Sequence, residues 1–152
     1  MTTLAAAGAG FLIAVLWFDL MFDVQTRGHA GNVMPNADLT SIASYYRRVT
    51  TEANPMGRVV GGVMLLLLLV LGAEVLKLDW WIAWPSLVAA MSAIALSVVR
   101  TVRNAIRLGS SADQPEVQTR LARAIYGDHL FCLAAMVLVV VLQIAAPWVA
   151  DR

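Results

Sequence analysis

The sequence predicts an all-α protein, a four-transmembrane-helix bundle with two short cytoplasmic interfacial amphipathic helices. Of its 152 residues, 60% are hydrophobic and only 14% are charged. Four apolar stretches reach about 20 residues each with their flanks, which is enough to cross roughly 30 Å of hydrocarbon as helix. A bilayer admits helices or closed barrels, and the apolar runs are continuous rather than alternating, so we expect helices.

The whole chain, residues 1–152, is expected to form a single integral membrane domain, because four spans leave no room for a separate soluble one. We place the spans at about 4–24, 56–77, 80–100 continuing to 108, and 128–149. In the first span the small residues precede the apolar run, which is the reverse of a secretory signal peptide. We therefore expect the first span to be retained.

The basic residues are distributed unevenly about these spans. Only Lys77 and Arg152 lie on one side, while nine arginines lie in the two long loops on the other. The positive-inside rule then predicts cytoplasmic loops and external termini in a multi-pass membrane protein. The nine arginines are Arg27, Arg47, Arg48, Arg58, Arg100, Arg103, Arg107, Arg120 and Arg123.

Each long loop carries an amphipathic pattern. In the first loop Leu39, Ile42, Tyr46 and Val49 recur at helical spacing, which predicts a helix lying in the membrane interface. The second loop follows Gly109, which is expected to end the third helix. A separate amphipathic helix is then predicted over residues 113–126, with Gly127 breaking it and Asp128 capping the fourth span.

Asp19 and Asp23 are the most unusual residues, because two carboxylates near the end of an apolar span are costly unless they are paired. Their i,i+4 spacing stacks them on one helix face. Three interpretations remain open: a network with arginines that locks the bundle, a binding or catalytic pocket, or a metal site. For the first we predict contact with Arg100, Arg103 or an arginine of the first loop.

The cytoplasmic ends of the spans bring together the residues that we expect to form a polar cluster: Asp19, Asp23, Tyr45, Tyr46, Arg47, Arg48, Arg100, Arg103, Asn104, Arg107, Asp128 and His129. The chain holds two histidines, His29 and His129, and lacks the spacings typical of metal-binding helices. Cys132 is expected to be a small core residue. At the other end, Glu74 and Lys77 are spaced to pair.

The segments Leu16-Trp17-Phe18-Asp19-Leu20-Met21-Phe22-Asp23 and Asp128-His129-Leu130-Phe131-Cys132 resemble bacterial four-span inner-membrane proteins of unassigned activity. The layout, with short spans, an interfacial loop after the first and an asparagine after the third, is also similar to anthrone-oxygenase-like four-span proteins. The resemblance implies a four-span fold in a bacterial cytoplasmic (inner) membrane, and it transfers no catalytic residue or cofactor.

The cluster leads us to expect, first, a membrane protein that binds an amphipathic or lipid-like anion, or docks on a larger membrane complex as an accessory subunit. The alternative is a small membrane-embedded enzyme acting on a hydrophobic substrate, with Asp19, Asp23 and His129 as acid/base or metal-binding groups. Expected partners are membrane lipids and no nucleic acid. The small residues Ala6, Gly10 and Ala14 allow close helix contact, either within the bundle or in a homo-oligomer.

Overall fold

The computed structural model describes residues 1–28, 31, 33–77 and 80–150, so His29 and Arg152 lie outside the described residues. The described part is helical and contains no strand. Its helices are α1 (Thr2–Asp23) with a 3₁₀ turn (Val24–Gly28), α2 (Asn36–Thr51), α3 (Asn54–Lys77), α4 (Trp80–Leu96), a π-helical turn (Ser97–Thr101), α5 (Val102–Gly109) and α6 (Pro115–Ala150).

Four helical stretches are long and apolar enough to cross a membrane, which confirms the predicted four-span architecture. They cover Thr2–Gly28, Pro55–Lys77, Trp81–Gly109 and Pro115–Trp148. These four helices indicate a multi-pass membrane protein, and many large hydrophobic side chains are exposed on their surfaces, as lipid contact requires. We call the end of the bundle that carries α2 the α2 end, and the other the opposite end.

The fourth span departs from the prediction, because α6 is one uninterrupted helix of 36 residues. Gly127 does not break it, and Asp128 lies inside the helix rather than at its N-cap. A helical glycine costs only about 1 kcal/mol relative to alanine. Packing of Leu121, Ala122 and Ile125 against α2 and α5 outweighs that cost. The predicted second interfacial helix is therefore the first third of α6.

The third span ends near Gly109 as predicted, but it contains a π-helical turn over Ser97–Thr101. Such turns insert one residue into the helix and change the direction of the side chains around it. The consequence for Arg100 and Thr101 is described below.

The bundle holds two separate apolar cores. The first lies among the spans and includes Leu12, Leu71, Ala90, Cys132 and Val139. Cys132 is buried there, as predicted. The second lies at the α2 end, where α2 packs on the extended parts of α5 and α6; its members are Met34, Leu39, Ile42, Ala43, Tyr46, Ala105, Leu108, Leu121, Ala122 and Ile125.

α2 is therefore packed on protein: Leu39, Ile42 and Tyr46 of its predicted apolar face are buried against other helices, and Val49 is exposed. Its approach to α5 depends on Gly109, because a Cβ there would lie 2.7 Å from the backbone nitrogen of Arg47. In α1, Ala5 and Ala9 are buried, while Gly10 and Ala14 of the predicted small-residue stripe are exposed.

Candidate functional site

A layer of polar side chains separates the two apolar cores. Along α6, Ile125 belongs to the second core and Cys132 to the first, with Asp128 and His129 between them. Asp19 and Asp23 reach the same level from the end of α1, and Tyr45 and Tyr46 reach it from α2. The layer thus lies where the apolar spans end.

Asp23 is the centre of this layer and is fully buried. Its Oδ1 accepts a hydrogen bond of 2.6 Å from the Tyr46 hydroxyl, and its Oδ2 lies 2.6 Å from Nδ1 of His129. An ionised carboxylate only accepts, so Nδ1 of His129 is the donor in this contact. Asp23 therefore fixes both the orientation and the tautomer of the imidazole ring.

Asp19 lies on the other side of the imidazole. Its Oδ1 accepts a hydrogen bond of 2.6 Å from the Tyr45 hydroxyl. Its Oδ2 faces Nε2 of His129 at 3.9 Å, which is too long for a hydrogen bond. We refer to Asp19, Asp23, His129, Tyr45 and Tyr46 as the Asp–His–Asp array. As the i,i+4 spacing predicted, both aspartates lie on one face of α1.

The two tyrosines supply the fixed donors of the array from α2. Burial raises the pKa of Tyr46, and the nearby charge of Asp23 raises it further. Burial and then Asp19 raise the pKa of Tyr45 in the same way. Both phenols therefore keep their protons. The Tyr45 ring also stacks on Phe22 of α1, with ring centroids 4.0 Å apart.

The predicted contact of Asp19 or Asp23 with an arginine is wrong. Within the described residues their partners are the tyrosines and His129, and Arg100 instead binds Asp128. A tyrosine or an imidazole can satisfy a buried carboxylate by hydrogen bonding without bringing a guanidinium out of water. Helix spacing alone could not distinguish these partners.

Asp128 is a second buried carboxylate beside the array, and its partner Arg100 has a side chain that is 57% exposed. It is a bidentate acceptor for Nε and Nη2 of Arg100, and Thr101 donates a hydrogen bond of 3.0 Å to its Oδ2. The adjacent residues Arg100 and Thr101 both reach one carboxylate from the π-helical turn. Sequence reasoning missed Thr101, because nothing in the sequence marks that turn.

The remaining predicted residues are not brought into the array. Arg107 forms an exposed pair with Asp113, with Nε 2.7 Å from Oδ2, and this pair lowers the pKa of Asp113. Arg48 lies 4.0 Å from Glu52 on the exposed side of α2. Arg47 and Arg103 are exposed and Asn104 is half-buried, and none of these three has a side-chain hydrogen bond or ion pair to a described residue.

The geometry of the array is suited to proton transfer. In the part of the chain that the structure describes, no group of three His, Cys, Asp or Glu side chains is placed to hold a metal ion. The imidazole of His129 is held at Nδ1 by the Asp23 carboxylate. Its Nε2 faces the Asp19 carboxylate at a distance of 3.9 Å, with no hydrogen bond between them. An oriented imidazole of this kind can take a proton at Nε2 and return it.

Comparison of the chain with protein-family models, with curated proteins and with solved structures gave no match.

Proposed function

We propose that this chain is a membrane-embedded acid/base catalyst acting on a hydrophobic substrate that reaches the Asp–His–Asp array from the bilayer. The observation that carries the proposal is the asymmetric surroundings of His129. Its Nδ1 forms a hydrogen bond with Asp23, whereas its Nε2 lies 3.9 Å from Oδ2 of Asp19 without a hydrogen bond. In a purely structural network, pairing of both ring nitrogens would be expected. An atom bridging Nε2 and Asp19 Oδ2 could lie within hydrogen-bonding reach of both.

The exposure of the array supports entry from the lipid side. The side chain of Asp23 is fully buried and that of His129 is 8% exposed, while that of Asp19 is 16% exposed. Beside Asp19 on α1, the side chains of Trp17, Phe18 and Phe22 are exposed. A hydrophobic molecule would therefore meet an apolar surface first and then the Asp19 side of the array.

In the proposed reaction, Nε2 of His129 removes a proton from the substrate and, after exchange of that proton with water, returns a proton at another substrate atom. Asp19 holds the second reacting group or relays the proton, and Asp23 stabilises the imidazolium that forms. Tyr45 and Tyr46 keep the two carboxylates in place. The sequence of steps needs no oxidant or reductant, and it leaves the catalyst in its starting protonation state.

The test compares apolar extracts of cells that express the wild type, H129N or D19N, by untargeted mass spectrometry after a pulse of D₂O. A substrate that is isomerised or protonated at carbon should gain deuterium with the wild type and lose most of that gain with either variant. D113N, whose carboxylate lies outside the array, should behave as the wild type. Equal deuterium patterns in wild type and H129N would refute the proposal.

A second candidate function is binding of an amphipathic or lipid-like anion, and one observation favours it. An open groove of about 380 Å³ beside the array is lined by Leu96, Phe131, Gly127 and Arg100, together with Ser92 and Asp128. Apolar walls with a guanidinium at one end suit an acyl chain that carries an anionic head group. The bidentate pair with Asp128 neutralises much of that charge, which is why this candidate comes second.

Filling the groove tests this candidate. Gly127 and Gly62 are both exposed helical positions where an added Cβ would contact nothing within 4 Å. The wild type and G62L should gain thermal stability from an anionic lipid such as phosphatidylglycerol, and G127L should lose that gain. Equal stabilisation of all three proteins would exclude the groove as the binding site.

The distribution of basic residues supports a location in a bacterial inner membrane with the α2 end in the cytoplasm. A reporter that is active only outside the cytoplasm should therefore be active when fused after Arg152. Activity of a cytoplasmic reporter at that position would reverse the orientation.

A further inference from the structure

A second group of buried polar side chains lies at the opposite end of the bundle, where the sequence predicted only a pairing of Glu74 with Lys77. That pairing is wrong, because Glu74 is 2% exposed inside the bundle while Lys77 is exposed. Glu74 lies beside Gln143 of α6, and the Gln143 amide donates a hydrogen bond of 3.1 Å to Ser86 of α4. Gln143 is 2% exposed and Ser86 is fully buried.

This group has more acceptors than donors. The Ser86 hydroxyl donates to the Ile82 carbonyl at 2.9 Å, and one N–H of the Gln143 amide donates to Ser86, which leaves its second N–H for the Glu74 carboxylate. Within the described residues, Oε1 of Glu74 and Oε1 of Gln143 are both buried without a hydrogen-bond partner. A carboxylate oxygen and an amide oxygen can only accept, so neither can satisfy the other. One proton or one small cation would satisfy both.

We propose that Glu74, Gln143 and Ser86 form a binding site for a monovalent cation, either a proton or Na⁺, inside the bundle. A proton on Glu74 turns its carboxyl group into a donor toward Gln143. A sodium ion would instead be held by the two unpaired oxygens and Ser86 Oγ, an all-oxygen set that suits a hard cation. The proposal is independent of the Asp–His–Asp array, since the two sites lie at opposite ends of the bundle.

Among the residues that the structure describes, few other charges bear on this site. From α1, the α-amino group of Met1 acts electrostatically on Glu74. From α3, Lys77 lies less than one turn further and is exposed. The described residues of α4, and those of α6 from Met136 to Ala150, include no titratable side chain. An ionised Glu74 would thus have little compensation within the span, and intramembrane carboxylates of this kind commonly bind ions or protons.

The test follows the thermal unfolding of the purified protein in detergent against pH, in sodium-free choline buffer and then with added NaCl. The proteins compared are the wild type, E74Q, and E116Q as an exposed-glutamate control. A proton that is bound in the folded bundle and released on unfolding makes stability fall as pH rises. As the pH is raised, the unfolding temperature of the wild type should therefore fall by roughly 2–4 °C or more relative to that of E74Q, whose amide mimics the protonated acid.

The two cations give different results. If NaCl restores the wild type at high pH and choline chloride does not, the bound ion is sodium; if neither restores it, the ion is a proton. Parallel pH profiles for the wild type and E74Q, with no sodium effect, would overturn the proposal.

Should E74Q fail to fold, the infrared C=O band of a protonated carboxyl group decides instead. That band should be present at low pH in sodium-free buffer, shift in E74D, and disappear on raising the pH or adding Na⁺; its absence throughout would overturn the proposal.

Discussion

At the residue scale, the two buried aspartates, Asp23 on α1 and Asp128 on α6, have different kinds of hydrogen-bond partner. Asp128 takes a guanidinium and a threonine hydroxyl, whereas Asp23 takes an imidazole and a phenol. A guanidinium neutralises its carboxylate permanently, because arginine is not deprotonated in proteins. An imidazole can gain or lose its proton near neutral pH. This difference assigns a structural role to the Arg100–Asp128 pair and a chemical one to His129.

The structural role predicts an asymmetry between substitutions of the pair. R100A leaves the buried Asp128 with only Thr101, so we expect it to cost roughly 3–5 kcal/mol of stability. D128N removes the buried charge and keeps an acceptor for Thr101, so its cost should be about 1–2 kcal/mol. Thermal unfolding in detergent measures both, with R103A as the exposed-arginine control. A larger cost for D128N than for R100A would contradict the assignment.

At the element scale, the Asp–His–Asp array depends on the position of α2, because α2 supplies both tyrosines. The second apolar core holds α2 on α5 and α6, and Gly109 permits the close approach of the two backbones. α2 is thus a lid packed on protein, and its displacement would remove both phenolic donors from the carboxylates.

We therefore predict that G109A is destabilising and G127A is not. A Cβ at Gly109 would press on the Arg47 backbone, and such overpacking typically costs about 1–3 kcal/mol. At Gly127 the added methyl group meets open space, so the gain in helix propensity should stabilise α6 by roughly 0.5–1 kcal/mol. Thermal unfolding provides the measurement. Equal effects of the two substitutions would show that α2 does not rest closely on α5.

The elements also show how far the sequence could lead. Length and hydropathy predicted the four spans, since both are set by the bilayer. Periodicity predicted that Asp19 and Asp23 share a face. The partners of that face depend on how each helix is rotated in the bundle, which tertiary packing decides. Tertiary packing also keeps α6 continuous through Gly127. The buried position of Glu74 follows from the way α3 is rotated in the bundle.

At the scale of the whole molecule, the polar layer between the two apolar cores contains two phenolic donors, Tyr45 and Tyr46, whose pKa values lie far above neutral pH. Burial, and then the adjacent carboxylates, raise the pKa of Tyr45 and Tyr46 above the ordinary value of about 10. The folded protein holds these two protons more tightly than the unfolded chain. Their contribution to stability is therefore complete below about pH 10 and is lost as the pH rises above it.

This linkage predicts a steeper alkaline loss of stability in the wild type than in the Y45F/Y46F double variant. The variant is less stable near neutrality, because two buried carboxylate oxygens lose their donors at about 1–3 kcal/mol each. Thermal midpoints measured from about pH 8 to pH 11 should nevertheless converge, with Y126F following the wild type. Parallel curves for the wild type and the double variant would contradict the linkage.

The central claim, that His129 is held at Nδ1 and left available at Nε2, can be measured directly by ¹⁵N NMR of the imidazole. The H29N variant leaves His129 as the single histidine, which makes the assignment unambiguous. We predict a proton on Nδ1 and none on Nε2, and the D23N variant should abolish the preference for Nδ1. A ring that is protonated at both nitrogens wherever the protein is folded would make His129 a fixed ion bridge between two aspartates, and would contradict the proposed chemistry.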